Sequence, residues 1–170
     1  MRLASVLSSA AAALALTVSA APASATIINL FANIDGAQET PPVATPATGS
    51  ASITYDDVAN LLSWTITYSG LLGTINNAHF HGPAPVGVPA GVRVGIPFTA
   101  GLTADTLIGS TTISEAFEAE LLGQLWYINI HSTSFGGGEI RGQVIPEPGT
   151  LLLAGLGLIG LAARRRPRDS

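Results

Sequence analysis

Short segments in which apolar and polar residues alternate run through the middle of this chain, and no other feature constrains the fold as strongly. Glycine, proline, asparagine and aspartate separate these segments at short intervals, which is typical of an all-β sandwich or barrel. We therefore predict eight strands, at residues 27–34, 49–55, 61–69, 75–81, 92–98, 106–112, 126–132 and 139–145. Residues 114–124 favour a short helix instead, because Ser114 can cap its start and Gly123 can end it.

The first 25 residues have the composition of a secretory signal peptide. One arginine precedes an uncharged run rich in alanine, leucine and valine, and Ala23 and Ala25 then form the A-x-A pattern that signal peptidase accepts. A membrane anchor is the alternative, but Pro22 interrupts the run well short of the roughly 20 apolar residues that a span needs. We predict cleavage after Ala25 and export of the protein.

Residues 146–170 form a tail of three successive parts. Pro146, Glu147 and Pro148 come first, and an uncharged apolar run follows over residues 150–163. An arginine cluster then contains Arg164, Arg165, Arg166 and Arg168. A helix over the apolar run rises about 1.5 Å per residue, so it is shorter than a bilayer core of about 30 Å and predicts a marginal transmembrane anchor. The arginines would stay on the cytoplasmic side of the membrane.

The order of these three parts resembles the PEP-CTERM sorting signal. The resemblance implies that an exosortase cuts near Pro146, Glu147 and Pro148 after transient membrane anchoring through the tail. It also implies a Gram-negative bacterium that makes exopolysaccharide, with the protein at the cell surface or in the extracellular matrix. Exopolysaccharide and matrix proteins are then candidate partners.

Residues 26–145 are expected to form one domain. In this segment two arginines face nine acidic residues, which gives a net charge of 2 − 9 = −7. Such a surface is a poor match for nucleic acid. The chain has no cysteine, which excludes disulfides, thiolate metal sites and cysteine nucleophiles. We assign no catalytic residue from the sequence.

Two of the three histidines, His79 and His81, are separated only by Phe80. Successive side chains of a strand point to opposite faces, so both histidines lie on the outward face and Phe80 belongs to the core. The same alternation in "WYINIH" puts His131 on an outward, wetter face together with Tyr127 and Asn129.

Neighbouring strands would bring these histidines together. His79, His81 and His131 could then provide a three-nitrogen site for copper or zinc, with an open position for water or substrate. The alternative is structural, with the histidines hydrogen-bonded to adjacent loops. For Arg141, an ion pair with Glu139 on the same strand face is favoured over guidance of a substrate.

Four segments, "GAQETPPVATPATGSASITYD", "LSWTITYSGL", "NNAHFHGPAPVG" and "LWYINIHSTSFGGGEIRGQV", resemble the CHRD domain in order and spacing over residues 27–145. This resemblance implies an exported Greek-key β-sandwich of about eight strands without an established enzymatic activity. The leading functional expectation is a non-enzymatic surface or extracellular-matrix protein associated with exopolysaccharide.

A second resemblance connects "HFHG", "INIHS" and "GGGEIRGQVI" with copper-zinc superoxide dismutase. It implies that His79, His81 and His131 match three copper ligands and that Arg141 matches the arginine at the mouth of that site. The chain lacks the fourth copper histidine, the zinc ligands and the disulfide, so the usual dismutase activity is not expected. The alternative function is a mononuclear three-histidine copper or zinc protein, with weak metal-dependent redox activity left open.

Overall fold

The computed structural model describes residues 26–147, which form one curled antiparallel sheet with a short helix. The strands are β1 (Ile27–Asp35), β2 (Thr48–Asp56), β3 (Leu61–Ser69), β4 (Ile75–His81), β5 (Val92–Gly95), β6 (Asp105–Thr112), β7 (Tyr127–Ser132), β8 (Ile140–Gln143) and β9 (Ile145–Pro146). Helix α1 spans Glu115–Leu122, and a 3-10 turn spans Gly36–Gln38. The all-β prediction with one short helix is confirmed.

The strand order is β5-β4-β7-β8-β1-β2-β3-β6, with β9 paired to β1. The sheet folds over so that β6-β3-β2-β1 and β8-β7-β4-β5 form two layers of a sandwich. Trp64 of β3 and Phe80 of β4 meet across the interior with ring centroids 5.3 Å apart. The chain crosses between layers from β3 to β4 and back from β5 to β6, which then pairs with β3, so this segment follows a Greek-key path.

The core contains the inward residues that the alternation predicts. Along β3, for example, Leu62, Trp64 and Ile66 are buried while Thr65 and Thr67 between them are exposed. Phe80 is fully buried, as predicted. Burial of apolar surface at about 25 cal/mol per Å² is the main force that holds such layers together.

Two predicted strands end more than one residue beyond the observed ones, and proline accounts for the first. Strand β5 ends at Gly95 and not at residue 98, because Pro97 has no N–H to continue the ladder. The last predicted strand is interrupted at Val144, whose N–H donates to the Trp126 carbonyl at 2.9 Å. The chain therefore leaves β8 and pairs again, as β9, with β1.

The outward face of β7 and β8 is buried, which contradicts the wetter face expected from the alternation. Tyr127 and Asn129 are only 2% and 5% exposed. The loop between β4 and β5 covers this face: Ala90 N–H donates to the Tyr127 hydroxyl at 2.9 Å, and the Gln143 amide donates to the Ala84 carbonyl at 3.1 Å. We call this loop, residues 82–91, the cover loop.

No helix within residues 26–147 has the length and apolar character needed to cross a membrane. The predicted signal peptide, with Ala23 and Ala25, lies outside the described residues. The same is true of Pro148, the apolar run expected to form a transmembrane helix, and the arginines Arg164, Arg165 and Arg166.

Candidate metal centre

Strand pairing brings the three histidines together. Strands β4 and β7 are antiparallel neighbours, with His81 opposite Tyr127 and His79 opposite Asn129, so His131 lies diagonally from His79. One ligand nitrogen from each histidine lies within 4.8 Å of the other two. His79 Nδ1 and His131 Nε2 lie 3.4 Å apart. The residues that sequence analysis singled out therefore form one cluster.

Backbone carbonyls determine which nitrogen carries the proton in two of the rings. His81 Nδ1 lies 3.0 Å from the Ala90 carbonyl oxygen, and His131 Nδ1 lies 3.0 Å from the Gly136 carbonyl oxygen. Since a carbonyl only accepts, each Nδ1 must be the donor, and each neutral ring keeps its lone pair on Nε2. Such second hydrogen bonds usually orient histidines that bind a metal.

The Nε2 atom of His81 is buried and has no hydrogen-bond partner among the described residues. A buried polar atom without a partner costs free energy, so an atom of this kind in a folded protein calls for an explanation. The His81 ring lies next to the rings of His79 and His131, with centroids 5.3 Å and 6.2 Å away, and an unpartnered lone pair beside two other imidazoles is suited to a cation.

An aromatic and cationic stack supports the His81 ring from behind. The Tyr127 ring stacks on His81 with centroids 5.0 Å apart and planes 9° apart. The guanidinium carbon of Arg141 lies 3.5 Å from the Tyr127 ring centroid. Arg141 is only 2% exposed, and its guanidinium also donates to the Val88 carbonyl at 2.9 Å. Arg141 thus ties the cover loop to the stack beneath His81.

The pKa of each of the three histidines lies below its ordinary value. Burial lowers the pKa of His79, and the neighbouring charges of His131 and then His81 add to the effect. Burial also lowers the pKa of His81 and of His131, although their hydrogen bonds to Ala90 and Gly136 act in the opposite direction. The lowered pKa favours the neutral form of each ring, which is the form that metal ligation requires.

Arg141 and Glu139 do not form the ion pair favoured by the sequence, because each has other partners. Glu139 is fully buried and accepts hydrogen bonds from Thr45 Oγ1 at 2.6 Å, from Leu72 N–H at 2.7 Å and from the Ser132 hydroxyl. Burial acts to raise the pKa of Glu139, but these donors outweigh it and lower the pKa. Glu139 thus joins two loops and the end of β7 at one end of the sandwich.

Sequence analysis missed Glu39, which is 7% exposed and lies near Asn129 and Arg141. Burial raises the pKa of Glu39 to about 7, against the opposing effects of the Arg141 charge, the Thr40 N–H and the Asn129 amide. Its Oε1 has no hydrogen-bond partner in the described part of the chain. Glu39 follows a glutamine and precedes a proline-rich loop, and no local pattern marks it as buried.

The fold and the histidine cluster define a β-sandwich module with a candidate metal centre on one outer face. The family model described as "CHRD domain" matches residues 30–144, and the protein belongs to this family. The model of the PEP-CTERM protein-sorting motif matches residues 144–166. The resemblances to the CHRD domain and to the PEP-CTERM sorting signal are thereby confirmed. The motif implies export, anchoring through the tail before cleavage, and processing by an exosortase-type enzyme.

Searches of curated proteins and of solved structures each found no match to the chain.

Proposed function

We propose that this protein is an exported metal-binding protein whose CHRD domain holds one copper or zinc ion between His79, His81 and His131. The observation that carries the proposal is the convergence of three imidazole nitrogens within 4.8 Å. Nitrogens bound to one tetrahedral zinc ion at about 2.0–2.1 Å lie roughly 3.3 Å apart. The pair formed by His79 Nδ1 and His131 Nε2, at 3.4 Å, already has this spacing.

The donor set supports copper or zinc over other ions. Imidazole nitrogens suit copper and zinc, whereas calcium and magnesium require clustered oxygen ligands. The ligand atoms follow from the hydrogen bonds: Nε2 of His81 and Nε2 of His131 keep their lone pairs, and Nδ1 of His79 faces the latter. Three protein ligands leave a fourth position for water or another small ligand.

One side of the cluster is accessible. Gly95 pairs directly with His79 across β4 and β5, so the two residues share a face. A Cβ atom at Gly95 would have no heavy atom within 4 Å, so no side chain blocks His79 on this side. An ion could enter here, while the Tyr127 stack closes the opposite side of His81.

We assign the protein a binding role at the cell surface or in the extracellular matrix of a Gram-negative bacterium, in association with exopolysaccharide. The sorting motif supports the surface placement, and the net charge of −7 on residues 26–145 suits a soluble domain outside the membrane. In this proposal the protein binds the ion without using it for catalysis. Any redox activity at the open fourth coordination position is weak.

Calorimetric titration of Cu(II) and Zn(II) into the purified domain tests the metal site. We expect one saturable site in the wild-type protein and its loss in both His81→Ala and His131→Ala. Asn76→Ala is the matched control, because Asn76 is exposed on the same strand as His79 and His81 and should keep the site. No binding by the wild-type protein, or equal binding by His131→Ala, would refute the proposal.

A further inference from the structure

The sorting motif begins inside the folded domain. The CHRD match ends at residue 144, where the sorting-motif match starts. Directly after that residue, Ile145 and Pro146 form β9, which pairs with Phe31 and Leu30 of β1. The Glu147 N–H also donates to the Asn29 carbonyl at 3.2 Å. The first two residues of the Pro-Glu-Pro sequence are therefore held as part of the sheet.

This pairing bears on how the tail can be processed. A processing enzyme must bind the backbone around the cleaved bond in its own cleft, and backbone that is hydrogen-bonded to β1 is not free to enter one. The Val144 side chain is fully buried just before β9, and its N–H is bonded to Trp126. The domain therefore offers no free linker between its core and the motif.

The strand is also weak enough to open. It is two residues long, and its second residue, Pro146, has no N–H with which to bond β1. Ile145, Pro146 and Glu147 are all only partly buried, so little apolar surface opposes their release. Short terminal segments of this kind open locally at free energies far below that of global unfolding.

We propose that β9 gates the processing of this protein: the exosortase-type enzyme acts only on the form in which Ile145–Glu147 have left β1. When opening and closing are fast compared with cleavage, the processing rate follows the population of the open form. A partly or newly folded domain exposes the motif more than the native domain does. The rate at which the tail is removed therefore depends on whether β1 is folded and paired with β9.

A disulfide between β1 and β9 tests the gate in its closed form. Phe31 and Ile145 are directly paired, and neither belongs to the buried core. The chain has no cysteine of its own, so the intended bond is the only disulfide that the double variant Phe31→Cys/Ile145→Cys can form within one molecule. In the native host, pulse-chase labelling of the full-length precursor should show loss of processing in the oxidised double variant and its return with a membrane-permeant reductant. The two single-cysteine variants are the controls.

A linker tests the gate in its open form. Six Gly-Ser residues inserted between Ile145 and Pro146 place the motif beyond the reach of β1, and processing should become several-fold faster than in the wild-type precursor. The same insertion between Ala100 and Gly101, both exposed in the loop before β6, is the control and should leave the rate unchanged. Processing of the disulfide-bonded precursor at the rate of its single-cysteine controls, or no acceleration by the linker at the motif, would overturn the proposal.

Discussion

The outer faces of the two layers differ in what covers them. The face of β2, β3 and β6 lies largely open to solvent and carries rows of hydroxyl side chains. These are Thr48, Ser50, Ser52, Thr54, Ser63, Thr65, Thr67, Ser69, Thr106, Ser110 and Thr112. The face of β4, β7 and β8 is covered by loops and contains histidines, Tyr127, Asn129 and Arg141.

The difference shows that alternation of apolar and polar residues can produce either an exposed polar face or a polar face that loops cover. On the open face, the hydroxyl groups are accessible to solvent and do not need partners within the protein. On the covered face, burial forces polar groups to find partners within the protein, and it shifts their pKa values. Burial is the largest cause of the raised pKa of Glu39 and of the lowered pKa of each of the three histidines.

The largest effect should come from the interior that both layers share. Phe80→Ala empties a fully buried site and should lower the free energy of unfolding by about 3–5 kcal/mol. His79→Ala, one residue earlier on the outward face, should cost about 1 kcal/mol or less, because His79 is only partly buried. Urea denaturation measures both changes. Equal losses would show that the assignment of faces on β4 is wrong.

A smaller effect should separate the two outer faces directly. Arg141→Ala removes the cation stacked on Tyr127 and leaves the Val88 carbonyl without its donor, at a cost of about 2–3 kcal/mol. Thr65→Ala, at the centre of the open face, should change the free energy of unfolding by about 0.5 kcal/mol or less. If both variants unfold at the same urea concentration as the wild-type protein, the contacts of Arg141 on the covered face do not contribute to stability.

The smallest of these effects depends on pH. The pKa of Glu39 is about 7 in the folded protein and 4.5 ordinarily, so the folded state binds more protons between these values. The contribution of Glu39 to stability is therefore fully present below about pH 4.5 and is lost as the pH rises through about 7.

Glu39→Gln removes this titration. The variant should be more stable than the wild-type protein at pH 8, by on the order of 2 kcal/mol, and similar to it at pH 4.5. Thermal unfolding of both proteins across this pH range measures the difference. If the difference in stability between Glu39→Gln and the wild-type protein does not grow with pH, the pKa of Glu39 is not raised by burial.

The sequence predicted the strands well because the alternation is local and depends only on whether each side chain faces the core. It also placed His79, His81 and His131 on outward faces, where the structure brings them together. The covered face could not be predicted, since it depends on how the cover loop and the segment around Glu39 fold over β7 and β8. Those contacts join residues far apart in the chain, such as Gln143 and Ala84.

Contacts between distant parts of the chain also explain why the predicted ion pair between Arg141 and Glu139 is wrong. Alternation predicted that the two residues lie on one face of the last strand, where opposite charges favour an ion pair. In the structure β8 begins at Ile140, so Glu139 lies just before it. Glu139 instead accepts hydrogen bonds from Thr45, Leu72 and Ser132, in three other segments. No periodic pattern in the sequence indicates hydrogen-bond donors that come from three separate parts of the chain.

Long-range ¹H–¹⁵N NMR of the imidazole rings, before and after addition of one equivalent of Zn(II), tests the central claim most directly. The covered face should hold His81 and His131 as neutral rings protonated at Nδ1 at pH 7 in the metal-free protein. On binding, the ¹⁵N shifts of His79 Nδ1, His81 Nε2 and His131 Nε2 should move together and saturate at one equivalent. Rings that remain unchanged by zinc, or a response confined to one histidine, would contradict a metal centre on this face.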